Sequence, residues 1–86
     1  MKYYRNWHME PATCYYLVQG NSVVRLRRNV DVTGVNVLVT SGQAAFLEWS
    51  LCHRNGWLKK IDCATFLSAY NIWLEKATIV QRGSHE

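Results

Sequence analysis

A chain of 86 residues, 49% hydrophobic with four Trp, five Tyr and two Phe, makes one small packed domain rather than a disordered segment, which needs low hydrophobicity and high charge. A net charge of +4 favours an acidic partner, yet Lys and Arg are not clustered as in a dedicated nucleic-acid binder. Cys14, Cys52 and Cys63 are odd in number and irregular in spacing, which excludes a paired disulfide framework; they read as reduced thiols.

No apolar run reaches the roughly 18–20 residues of a membrane span, and Met1 to His8 lack the apolar stretch of a secretory signal. The expectation is therefore a soluble, cytoplasmic protein without membrane contact. Residues 1–12 crowd Tyr3, Tyr4, Trp7 and His8 ahead of Pro11, and form a fourth strand or an arm over the core.

Two aromatic and β-branched runs follow, Cys14 to Val18 and Val23 to Arg27, around Gly20-Asn21. Gly accepts positive φ without a Cβ clash, so this pair suits a two-residue hairpin turn. The implied register sets Val18 against Val23, Leu17 against Val24, Tyr16 against Arg25 and Tyr15 against Leu26. Strand alternation then puts Tyr15, Leu17, Val24 and Leu26 on a core face, with Cys14, Tyr16, Val18, Val23, Arg25 and Arg27 on a second, open face. A third strand is expected at Val35 to Val39, after the turn-like Asp31 to Gly34.

Two amphipathic helices are expected next, Thr40 to Asn55 and Asp62 to about Ala77. Thr40 and Gln43 fit a capping box, and Asn55-Gly56 fits a left-handed stop. In the first helix Ala44, Leu47 and Leu51 form one apolar stripe, beside another of Ala45, Trp49 and Cys52. Glu48 falls between them and is expected at the core's edge with an Arg or Lys partner. Asp62 begins the second helix, with Ile61 and Phe66 at staple spacing. Its core face carries Phe66, Leu67, Ala69, Tyr70, Trp73, Leu74 and Ala77. Residues 81–86 read as a polar tail outside a single domain spanning 1–80.

The expected fold is α+β: a three-stranded antiparallel meander covered on one face by a C-terminal αα-hairpin, in the order βββαα. No nucleophile, base and orienting group share a local arrangement, so no catalytic residue is assigned and no enzyme is expected. Cys52 and His53 diverge by about 100° on a helix, which argues against a metal with Cys63; no metal or cofactor is expected. Two binding surfaces remain. Phe46, His53, Ile72 and Ile79 are left over once the core is assigned, and suit contact with a protein partner or a second copy of the chain. Tyr16, Arg25, Arg27 and Arg28, on the open sheet face, have the basic-aromatic chemistry that suits nucleic acid.

Overall fold

In a computed structural model, residues 1–7, 12–32 and 34–81 are described, with side chains through residue 71 except Asp31. Five strands pair antiparallel: β1 (Lys2–Asn6), β2 (Cys14–Gln19), β3 (Ser22–Asp31), β4 (Gly34–Ser41) and β5 (Leu58–Ile61), in the spatial order β5-β1-β2-β3-β4. Helix α1 (Gly42–Arg54) joins β4 to β5, and helix α2 (Cys63–Lys76) follows β5. A last segment, β6 (Ala77–Gln81), lies parallel to β4 at the far edge.

This α+β arrangement overturns the three-stranded meander under an αα-hairpin. A strand, β5, separates the two helices in sequence, and they cover opposite faces of the sheet. Tyr15, Leu17, Val24, Leu26 and Val37 pack with Phe66, Ala69 and Tyr70 of α2. Tyr16, Val18 and Val23 pack instead with Ala45, Phe46 and Trp49 of α1. Tyr15 and Tyr16 are neighbours in sequence and lie on opposite faces, as strand alternation requires. The face expected to be open is therefore buried under α1.

The hairpin register is as the sequence implies, from Cys14 opposite Arg27 to Gln19 opposite Ser22. Gly20 has φ 61°, while no non-glycine residue among those described has positive φ. Positive φ at the first turn residue alone is the type II′ pattern, which matches the twist of the flanking strands. Within the aromatic N-terminal stretch, Lys2–Asn6 form a strand between β2 and β5. Buried Asn6 at its end clamps the start of β2: its Oδ1 accepts from the N–H groups of Thr13 (3.1 Å) and Cys14 (3.2 Å), and its Nδ2 donates to Thr13 Oγ1 (2.9 Å). One side chain thus satisfies two backbone donors that the ladder leaves over.

The helix ends differ in how far they follow sequence rules. At the end of α1, Gly56 (φ 73°) donates to His53 O and Trp57 donates to Cys52 O, the paired bonds of a Schellman stop. At the start of α2, Asp62 Oδ1 accepts from Thr65 N–H at 2.7 Å, and Ile61 and Phe66 meet in the core. The capping box at Thr40 does not form. Thr40 lies within β4, opposite Arg25, and its hydroxyl accepts from Arg25 Nη2 at 3.1 Å. The helix starts after Ser41, whose hydroxyl makes no cap bond.

Candidate functional site

The rotation of α1 about its axis sets its chemistry. Ala45, Glu48, Trp49 and Cys52, at i, i+3, i+4 and i+7, form the side turned to the sheet. Beneath them Tyr16 Oη donates to Glu48 Oε2 at 2.5 Å, and Arg25 Nη1 donates to Glu48 Oε1 at 2.6 Å. Glu48 thus has the Arg partner expected at the core's edge, with 36% of its side chain exposed. Arg25 is tied further to Thr40, so three strands and α1 share one polar network. Burial, then the bond to the Glu48 carboxylate, push the Tyr16 phenol far above its usual range. Burial raises the Cys14 and Cys52 thiols as well. They are weak nucleophiles at neutral pH, because only the thiolate attacks.

The same rotation turns Leu47 outward with 57% exposure and Leu51 with 50%. The sequence suggests that these two residues, with Ala44, line the core, but all three are exposed. The reason is electrostatic: turning that stripe inward would draw Glu48 off Arg25 and Tyr16 and leave buried polar groups unsatisfied. An aromatic row runs along another flank of α1, set apart from the outward stripe by Gln43, Ser50 and Arg54. Phe46 lies against Trp49 (ring centroids 6.2 Å apart), and His53 stacks on Trp49 at 5.0 Å with an interplanar angle of 25°. Tyr4 supports both, edge-on to His53 at 5.4 Å and tilted against Trp49 at 5.7 Å.

Two open grooves flank this row at the β2–β3 turn. One of ≈ 460 Å³ runs between Phe46, Gly42 and the start of β3. The other, of ≈ 270 Å³, lies between Trp49, Tyr4 and Gly20. Trp49 Nε1 and Arg25 Nε are buried with no hydrogen-bond partner among the described residues.

Of the surface residues expected for protein contact, Phe46 and His53 do share a flank of α1, Phe46 half-buried and His53 exposed. The side chains of Ile72 and Ile79 lie outside the described residues. Their backbones are in different elements, Ile72 in α2 and Ile79 in β6 opposite Val37, so they do not share one helix face. The nucleic-acid quartet is not one surface. Tyr16 is buried, Arg25 is committed to Glu48, Arg27 is exposed, and Arg28, the next residue along β3, faces the opposite side. Cys52 and Cys63 belong to helices on opposite sides of the sheet, so they do not meet with His53.

No family model, curated protein or solved structure matches this chain. The site's own chemistry is therefore the guide to function. No helix among the described residues is long and apolar enough to cross a membrane.

Proposed function

We propose that this chain is a non-enzymatic binding protein that recognises another protein through the outer surface of α1. What supports this is the pair Leu47 and Leu51, both exposed and one helical turn apart on the outer side of α1. Exposed leucines at this spacing suit the anchors of helix-mediated recognition. A single exposed apolar residue carries no such meaning, but a patch built from neighbouring ones does.

The patch ends in His53 and Arg54, and α1 has no acidic residue in its first turn. Antiparallel pairing of two copies through α1 would bring Arg54 to the partially positive N-terminus of the facing helix. A distinct partner offering an apolar face edged with carboxylates avoids that repulsion. The test is the double substitution Leu47→Asp and Leu51→Asp. Both sites are exposed, so stability should change by less than about 1 kcal/mol. Capture of specific protein partners from host lysate should disappear, while sedimentation of the purified chain should show a monomer for both forms. Unchanged capture by the double variant would refute the α1 surface. A stable dimer that the variant dissolves would make the partner a second copy.

A further inference from the structure

A second surface lies at the other edge of the sheet. In β1 and β5, Asn6 stands opposite Leu58 and Arg5 opposite Lys59. The same register continues past the strands, where Trp7 N–H donates to Trp57 O at 3.4 Å. Alternation places Trp7 and Trp57 on the same side of the ribbon as Arg5 and Lys59, two residues or about 6.6 Å further along. The two indoles are 51% and 47% exposed, although each has a position fixed by the backbone. Trp7 Nε1 donates to Gly56 O at 2.6 Å, and Trp57 follows Gly56 in the Schellman stop of α1. Lys59 is exposed beside them, Lys60 is exposed on the opposite face of β5, and Arg54 is exposed at the end of α1.

The Trp7 indole is held by its hydrogen bond and Trp57 starts from a fixed backbone position, which lowers the ordering entropy lost when a ligand lands on them. A pair of flat rings one step from a pair of cations suits a ligand that carries flat apolar faces next to negative charges. We infer that the Trp7–Trp57 corner, with Lys59, binds single-stranded nucleic acid by stacking bases on the indoles and pairing phosphates with the cations. Stacking of this kind tolerates any base, because every base has a π-face. A duplex hides those faces within its own stack, and an acidic peptide has the charges without the faces.

This site is separate from the outer surface of α1 and does not rest on the function proposed for it. The experiment is fluorescence anisotropy of a labelled oligothymidylate of about 12 nucleotides, titrated with the full chain at low and moderate salt. Matched duplex and a polyglutamate competitor run alongside. The single strand should bind at least ten-fold tighter than the duplex. Trp57→Ala should weaken it by about ten-fold, within the range for one stacked base, and Trp57→Phe should retain most of the affinity. Lys59→Ala should lower the slope of log affinity against log salt by about one, as for one lost phosphate contact.

The Leu47→Asp, Leu51→Asp form should bind the oligonucleotide like the parent, which separates this site from the α1 surface. Circular dichroism establishes that each variant is folded, and Lys59→Ala carries the test if Trp57→Ala is not. Four results overturn the inference: no binding at low salt, equal affinity for duplex, indifference of a folded Trp57→Ala, or displacement by polyglutamate as readily as by unlabelled oligonucleotide.

Discussion

The two faces of the sheet are built on different physics. Under α2 the contacts are apolar and aromatic: Phe66 stacks on Tyr3 (5.1 Å) and Tyr70 (5.5 Å) and meets Tyr15 edge-on (5.7 Å), above Leu26 and Val37. Under α1 an apolar cluster surrounds the Tyr16–Glu48–Arg25–Thr40 network. Apolar packing is non-directional and rewards area, so many helix rotations bury similar amounts. Hydrogen bonds between partly buried charges are directional, and they select one. The polar face therefore decides which side of α1 points outward, and with it that Leu47 and Leu51 are exposed. The α2 face rests on apolar packing alone for its share of stability, and the surface that α1 presents is set by the other face.

Deleting the centre of the apolar face should have the largest effect. Phe66→Ala should cost about 3–5 kcal/mol, a large part of what a domain of this size holds. Urea unfolding should show the midpoint falling steeply, and Phe66→Leu should recover much of the loss. A cost near 1 kcal/mol for Phe66→Ala would mean that the α2 face does not carry the stability assigned to it.

Glu48→Ala should cost less, about 1–3 kcal/mol, because it strands Arg25 and Tyr16 while water still reaches the site. The comparison sharpens in the double replacement Arg25→Met with Glu48→Leu. With both charges removed, most of that loss should return. The rotation of α1 should then be less well specified, seen as broadened amide resonances along Gly42 to Arg54. If the double replacement keeps sharp resonances and an unchanged Leu47 environment, apolar packing alone fixes the helix.

Most of the α2 face was legible in the sequence because its signals are periodic, although Leu67, expected on that face, is 47% exposed. Tyr15, Leu17, Val24 and Leu26 alternate, and Ile61, Asp62 and Phe66 stand at cap and staple spacing. The hairpin register was equally open, since Gly20-Asn21 dictates it. The position of α1 was not. By periodicity Ala44, Leu47 and Leu51 are as good a core stripe as Ala45, Trp49 and Cys52; only Glu48 with Arg25 breaks the tie, and their meeting is a tertiary event. Strand β5 was missed because four residues, Leu58-Lys59-Lys60-Ile61, carry too little pattern, and two lysines in a row read as a solvated turn. At a sheet edge those lysines also discourage pairing with another chain. Reading β5 as a loop makes the two helices a hairpin and leaves β1 without an outer neighbour. The Trp7–Trp57 corner was hidden for the same reason, since 50 residues separate the two until β5 pairs with β1.

The smallest expected effect lies where α2 joins the apolar face. Bonds from the Thr65 side chain and backbone N–H hold the Asp62 carboxyl below its usual range. A group whose folded pKa is depressed adds stability above its unfolded pKa and loses it as pH falls through the folded value. The native chain should therefore lose this contribution on acidification through the lower carboxylate range. Asp62→Asn keeps a side-chain oxygen for Thr65 N–H and remains a good cap, but cannot titrate. Its stability should lie slightly below the parent's at neutral pH and converge with it in acid, whereas Asp62→Ala should be lower at both. Unfolding midpoints across that pH range for the three forms measure the difference. Parallel curves for the parent and Asp62→Asn would mean that the charge on the cap contributes nothing beyond the hydrogen bond that either side chain makes.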